Sequence, residues 1–166
     1  MRVSIIAACD KNNLIGMDGN IPWSIPDDLK RFKDFTDGHA VIMGRGTFDS
    51  LGRKPLPNRF NVVITSNEQF GRNRDGVLFV NSHEEALKAC AFSFYYDVYI
   101  IGGESVYREA MGYADRILLT RIDNEYCPGF AKVARYFPVI DKDAWEIDSI
   151  EYRVGFEYAN YKKVYK

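Results

Sequence analysis

Residues Asn20 to Phe32, NIPWSIPDDLKRF, set two carboxylates side by side behind a tryptophan framed by prolines. Acidic residues are favoured in the first turn of a helix, where free backbone N–H groups meet them. Asp27 and Asp28 are therefore open to two readings, routine helix-start residues or acids held for chemistry. With the helix taken at about 100° per residue and Asp28 at 0°, Leu29 falls at about 100°, Phe32 at about 40° and Phe35 at about 340°. The apolar face is centred near 40°, by the same approximate count, and Asp28 lies inside it. Asp27, at about 260°, is assigned to the solvent side with Lys30, Arg31 and Asp34. An acid among aromatic rings resists ionisation unless a donor or a cation meets it. No inward-facing donor is expected nearby on the helix, so a ligand with two adjacent N–H groups would suit Asp28. A first-turn carboxylate satisfied by backbone N–H groups is the structural alternative.

A second set of residues could hold phosphate. MGRGTFDS puts Gly44 and Gly46 between a strand and a helix, with Arg45 between them, and IIGGESVY puts Gly102 and Gly103 in the same setting. Glycine lets the backbone approach a ligand, and free N–H groups at a helix start suit an anion. Neither stretch is a Walker loop or a G-x-G-x-x-G fingerprint, and each alone is compatible with ordinary packing. Their pairing points to a ligand with a phosphate bridge. Arg45 with Thr65 and Ser66 would suit a second phosphate, of the kind that separates NADP from NAD, or would form a plain surface turn.

The elements that must position these residues alternate. VSIIAAC reads as a buried strand, PDDLKRFKDFT as a helix, HAVIMG as a strand and RGTFDSL as a short helix. RFNVVITS and GVLFV follow as strands. NSHEEALKACAF is a helix with a capping box, Ser82 at the cap and Glu85 three residues on. DVYIIGG, ESVYREAMG and ADRILLTRI read as strand, helix and strand. The closing segment through Lys166 alternates as an antiparallel hairpin. The fold expected is α/β: a single domain over 1–166 with a mainly parallel central sheet, an antiparallel C-terminal hairpin and helices on both faces. In such sheets ligands bind beyond the C-terminal strand ends. The loop from Asp10 to Trp23 is too long and too apolar for a simple connector, and is expected to be ordered and to cover something.

Composition narrows the function classes. The chain has 166 residues, 46% of them hydrophobic, and a net charge of −1, which gives no footprint for nucleic acid. Cys9, Cys90 and Cys127 are odd in number, and with only His39 and His83 beside them no zinc spacing can be assembled. Free thiols, no signal peptide and no membrane-length apolar run imply a cytoplasmic protein.

Taken together, LIGMDGNIPWSIPDDLKRFKDFT, VIMGRGTFDSLGRKPLPNR, VVITS, VYIIGGESVY and LLTRID resemble the dihydrofolate reductase family in order and spacing, from Val3 to about Asp123. The resemblance implies NADPH-dependent reduction of 7,8-dihydrofolate to 5,6,7,8-tetrahydrofolate, with a hydride to pterin C6 and a proton to N5, supporting one-carbon and thymidylate metabolism. It aligns Asp28 with the acid that binds the pterin's N3 and 2-amino group, and Thr120 with the threonine that supports that acid. It implies apolar walls from Ile6, Ala7, Phe32, Leu51 and Leu56, and assigns Arg59 to the substrate's α-carboxylate. Ala8, Ile15, Gly16, Ile101 and Tyr107 match the nicotinamide pocket. Gly44, Arg45, Gly46, Thr47, Thr65 and Ser66 match the side that holds cofactor phosphates, and Gly102, Gly103, Glu104, Ser105 and Val106 the pyrophosphate turn. The family's Gly-Gly bond is cis. Antifolates are expected ligands, a monomer the expected state, and no metal is implied.

Three departures stand out. Lys54 is an extra residue beside many relatives, Glu104 follows the Gly-Gly pair where some have glycine, and NEYCPGFAKVARYFP carries Lys132 and Arg135 where many place a small acidic turn against the mobile loop. Contact between that loop and this segment is therefore not expected to follow the usual pattern. Two rivals are weighed. A reductase of riboflavin synthesis on the same fold would lack the Pro-Trp loop and the inward acid, and a catalytically silent NADP-binding module would lack part of the site, none of which is missing.

Overall fold

A computed structural model describes residues 1–67 and 73–165, so Lys166 at the end of the expected hairpin lies outside the described residues. The elements run β1 (Arg2–Cys9), β2 (Leu14–Met17), α1 (Pro26–Thr36), β3 (Ala40–Gly44), α2 (Arg45–Ser50) and β4 (Phe60–Ile64). They continue with β5 (Asn73–Arg74), β6 (Val77–Val80), α3 (His83–Phe92), β7 (Asp97–Ile100), α4 (Glu104–Ala110), β8 (Arg116–Ile122), β9 (Ala134–Tyr136), β10 (Trp145–Arg153) and β11 (Phe156–Lys163). Among the described residues, nine strands form one sheet in the order β10-β11-β8-β1-β7-β3-β4-β6-β5. From β8 to β6 every neighbouring pair is parallel, while β10, β11 and β5 join antiparallel at the two edges. The α/β architecture expected from the alternation is the one observed.

The period of two along the central strands divides the core. Val3, Ile5, Ala7 and Cys9 of β1 face one side, where Ile42, Ile100 and Leu119 join them under Ala86 and Cys90 of α3 and Val106, Tyr107 and Ala110 of α4. Ile6 faces the other side with Val41, Met43, Tyr99 and Leu118, covered by Phe48 of α2 and by Phe32 and Phe35 of α1. Strands buried on both faces read as continuous apolar runs, which is why the sequence exposes them clearly.

Two features differ from expectation. The long loop after β1 contains a strand, β2, paired antiparallel with β9 in a separate two-stranded sheet. In α1, Leu29 is 60% exposed, while Arg31 turns inward. The inward face therefore runs through Asp28, Arg31, Phe32 and Phe35 and is centred nearer Asp28 than the sequence count placed it. The helical count places Arg31 on the solvent side with Asp27; its guanidinium instead finds an aromatic and polar enclosure that satisfies it, described below.

The capping of α3 follows the sequence with one change. Ser82 accepts the Glu85 N–H through its Oγ at 3.1 Å, but the Glu85 carboxylate reaches back to the Asn81 N–H at 3.0 Å rather than to that of Ser82. Ser82→Ala should lower stability by about 1 kcal/mol, the usual cost of a lost N-cap, measured as a shift in the urea midpoint at unchanged slope.

Candidate active site

The parallel register sets the C-terminal ends of β1, β3, β4 and β7 along one rim of the sheet. Beyond that rim lies a cavity of about 1150 Å³. Its wall includes Ala8 from β1, Ile15 and Gly16 from β2, and Gly44, Arg45, Gly46 and Thr47 from the β3–α2 junction. Thr65 and Ser66 after β4 line it too, as do Ile101, Gly102, Gly103, Glu104, Ser105, Val106 and Tyr107 around the start of α4. The structure thus gathers on one wall every residue matched to the cofactor in the sequence. Asn81, Ser82, His83, Arg108 and Arg135 also line it, and sequence reading did not find them. His83 and Arg108 sit within helices, where nothing in the residue pattern marks the side on which a cavity opens.

The glycine turns are tight for identifiable reasons. A Cβ on Gly44 would come within 3.0 Å of Val106 Cγ2, so this glycine lets β3 approach α4. Gly102 has φ +128°, and a Cβ there would stand 3.1 Å from Thr47 Oγ1 and 3.3 Å from the Tyr107 hydroxyl. The Gly102–Gly103 peptide is cis, and the Gly44 N–H donates to the Gly102 carbonyl at 2.7 Å. Gly46 differs: a Cβ on it would meet nothing within 4 Å, so packing does not call for glycine there. Tyr107 donates its hydroxyl to the Ile6 carbonyl at 2.9 Å and joins α4 to β1.

Beside the cavity, Thr120 of β8 stands opposite Ala8 of β1 in the parallel register. Its hydroxyl donates to Asp28 Oδ1 at 2.5 Å, bonding the first turn of α1 to the sheet. Helix α1 has Ile25 at its N-cap with no side-chain cap, and the Asp28 carboxylate is engaged across the site by Thr120 of β8. The helix-start alternative is thereby set aside for Asp28, whereas Asp27 is exposed as expected. Burial holds the Asp28 carboxyl above the usual carboxylate range, against the opposing pull of the Thr120 bond and the Arg31 charge. The magnitudes agree with that direction: removing a carboxylate from water costs several kcal/mol, and one hydrogen bond to a charged group returns about 1.5–3.

Of the residues expected against the substrate, Ile6 and Ala7 are buried in the sheet, and Phe32 and Leu56 are partly buried against the core cluster that contains Ile6. Leu51 is 37% exposed. Arg59 has only 5% of its side chain exposed; its Nε and Nη2 donate to Thr36 Oγ1 at 3.2 and 3.1 Å, and Nη1 to the Pro57 carbonyl at 2.6 Å. Asp37 lies 3.5 Å from Nη1. These bonds use Nε–H and one N–H on each terminal nitrogen; the second N–H of Nη1 lies toward Asp37, and that of Nη2 remains for a further acceptor. Buried Asn61, overlooked in the sequence, fixes this loop by accepting the Leu56 N–H at 2.9 Å and donating to the Leu56 and Arg59 carbonyls at 2.9 and 3.0 Å.

The covering loop is held largely through backbone. Asp10, only 2% exposed, accepts the N–H groups of Asn12, Leu14 and Tyr126, each at 2.8 Å. Asp18 accepts those of Val133 at 2.9 Å and Lys132 at 3.3 Å, and Trp23 lies against Tyr126 with ring centroids 5.3 Å apart. The segment with the unusual cations thus contacts the loop through main-chain N–H groups and the Tyr126 ring and, among the described residues, not through Lys132 or Arg135 charge pairs. Glu104 receives the Arg108 guanidinium at 2.7 Å and the Tyr136 N–H at 3.1 Å, which gives its carboxylate partners of its own at the start of α4.

Fold and site together define an α/β ligand-binding protein of the open-sheet kind, with its cavity beyond the strand ends. A family model described as "Dihydrofolate reductase" matches residues 2–165. The chain is 41% identical over 151 residues to a dihydrofolate reductase of Bacillus subtilis (strain 168), covering 90% of this chain and 83% of that one. It is 35% identical over 151 residues to one from Staphylococcus haemolyticus, with 91% and 85% covered. The structure of a dihydrofolate reductase from Enterococcus faecalis complexed with NADP(H) and RAB-propyl superposes with a TM-score of 0.82 at 31% identity, covering 98% of this chain and 96% of that one. The chain belongs to the dihydrofolate reductase family.

Gly102→Ala tests the close approach at α4. The added methyl must displace Thr47 or Tyr107 and occupy a backbone region that side chains avoid, so a stability loss of about 1–3 kcal/mol is expected by thermal denaturation.

Proposed function

We propose that this chain reduces 7,8-dihydrofolate to 5,6,7,8-tetrahydrofolate with NADPH, and so serves one-carbon and thymidylate metabolism. The observation that carries the reading is the Asp28–Thr120 pair, a half-buried acid bonded across to the strand that neighbours the cavity. The two oxygens of the Asp28 carboxylate, one of which also accepts from Thr120, can accept from the pterin's N3 and 2-amino group, a match of one carboxylate to two adjacent N–H donors. Thr120 orients that acid. Ile6, Ala7, Phe32, Leu51 and Leu56 would flank the pterin and p-aminobenzoyl rings, and the remaining N–H of the Arg59 fork would hold the α-carboxylate.

The cavity suits an extended dinucleotide. Glycines at Gly44 and Gly102 let the backbone come close, and the lining pairs apolar groups such as Ala8, Ile15 and Ile101 with Arg45, Thr47, Thr65 and Ser66. Ala8, Ile15, Gly16, Ile101 and Tyr107 would hold the nicotinamide, and Gly103, Glu104, Ser105 and Val106 the pyrophosphate turn. Gly46 and Arg45 would flank the second phosphate. When bound, NADPH supplies the hydride for C6. The chain's own part is alignment, an anionic anchor at Asp28 and exclusion of water by the loop over Asn12 to Trp23. Water is the proposed donor of the N5 proton, with Asp28 as its electrostatic neighbour. Antifolates with the same donor edge should bind in place of substrate. Three free cysteines fit a cytoplasmic setting, and a monomeric single domain is the proposed form.

Purified protein given NADPH and dihydrofolate should lose nicotinamide absorbance; a preparation that is folded yet inert would sink the reading. Asp28→Asn should lower kcat/KM by about 10² to 10⁴, while Asp27→Asn should change it little. Equal losses in the two variants would overturn the distinction between the acids.

A further inference from the structure

The next turn of α1 beyond Asp28 carries a cation, Arg31, whose place in the site is not explained by packing alone. Arg31 extends beneath the acid toward β8 and β11. Its guanidinium lies 4.2 Å from the Tyr158 ring centroid and 5.3 Å from that of Phe35, enclosed between aromatic faces. Nη2 donates to Asn160 Oδ1 at 2.7 Å, and Nη1 approaches Thr120 Oγ1 at 3.4 Å. Since the Thr120 hydroxyl donates its hydrogen bond to Asp28, the contacts form a directed chain from guanidinium to hydroxyl to carboxylate. An arginine is always charged and only donates, so its approach to Thr120 Oγ1 leaves that oxygen's hydrogen to point at the acid.

We infer that Arg31 is a positioning residue for the reaction, holding the Thr120 hydroxyl as donor to Asp28 and keeping that acid ionised as the pterin anchor. The inference rests on the proposed reduction of dihydrofolate. Asn160 and Tyr158 set the guanidinium in place, and Ser149 in turn accepts the Asn160 amide N–H at 2.9 Å. The surrounding charges do not duplicate the effect. Around the pair stand Arg116 of β8, Glu151 of β10, Tyr158 of β11 and Tyr107 of α4, with Asp27 and Arg153 further out toward solvent. Arg116 is engaged elsewhere, with Nε donating to Ser4 Oγ at 2.7 Å and Nη2 to the Tyr99 hydroxyl at 3.4 Å. Glu151 opposes Arg31's field rather than supplying it. Behind Arg31 a second hollow of about 470 Å³ is lined by Lys30, Asp34, Glu151 and Arg153, so the guanidinium stands between outer solvent and the acid.

The sign follows from the charges. A cation near a carboxylate favours its ionised form, so removing it raises the carboxyl pKa further above the ordinary range. The direct measurement is the titration of the Asp28 side-chain carbon by ¹³C NMR in the ligand-free protein. Arg31→Met keeps the stem and deletes the charge; its Asp28 midpoint should rise by about one pH unit. Arg31→Lys keeps charge without the planar fork and should rise by less. With dihydrofolate, the increase in KM on lowering pH should begin about one unit higher in Arg31→Met, while kcat changes less. An unmoved midpoint in folded Arg31→Met would mean that the side chain only fills space between Phe35 and Tyr158, and would overturn the inference. Should Arg31→Met fail to fold, Asn160→Ala releases Nη2 and leaves the charge; a smaller upward shift supports the inference and no shift overturns it. Absence of turnover in the unmodified protein would strike the proposed reaction instead, and the carboxyl titration would still judge the chain of contacts.

Discussion

A single hydrogen bond between a helix and a strand organises this molecule. Asp28 sits in the first turn of α1, and its partner lies 92 residues away on β8. A carboxylate in that position cannot be left alone among Phe32 and Phe35, because an unpaired buried charge costs more than the helix start could return. The bond to Thr120 therefore fixes how α1 lies on the sheet. It also sets which face of α1 turns inward, and with it the place of Arg31. The parallel register of β1 with β8 then carries the pair to the side of Ala8, on the wall of the cavity.

Close backbone approach is the second constraint, and it acts on the same cavity at the junctions of β3 with α2 and of β7 with α4. Gly44 and Gly102 are small because Val106, Thr47 and Tyr107 already occupy the space a side chain would need. The packing explanation for these glycines and the binding explanation are thus not rivals: by letting β3 lie against α4, the glycines create the narrow, backbone-lined wall. Gly46 stands apart, since the protein itself makes no demand there. On the proposed function, a ligand makes it.

The fold was legible where one physical signal dominated. Continuous apolar runs in β1, β3, β4 and β7 can satisfy only a two-sided sheet, and the Ser82–Glu85 pair can start only a helix. The inequality of Asp27 and Asp28 was legible too, from angle alone. Arg31, placed with Asp27 on the solvent side, lies about 60° from Asp28 and so closer to the acid than Leu29 does, at about 100°. Stacking on Tyr158 and the amide of Asn160 make a charged residue welcome inside, and neither partner can be foreseen from α1. Strand β2 was missed for a related reason. Its pairing partner, β9, is three residues long and distant in sequence, so no local pattern announces the ladder.

That small sheet also explains why the departures between Asn124 and Pro138 do little violence to the architecture. Asp10 gathers N–H groups from both sides of the join, and Asp18 receives N–H groups of Lys132 and Val133 whose side chains take no part. A main-chain donor is present at any residue except proline, so side chains here can vary while the contact persists. Glu104 completes the arrangement from the other direction: its carboxylate joins the start of α4 to the Tyr136 N–H. The same acid that would repel a phosphate if unpaired is shared between Arg108 and the β9 backbone, which leaves its charge compensated beside the cavity. Covering loop and glycine turn are therefore joined through one carboxylate, since Tyr136 belongs to the strand that pairs with β2 and Glu104 begins α4 directly after Gly103.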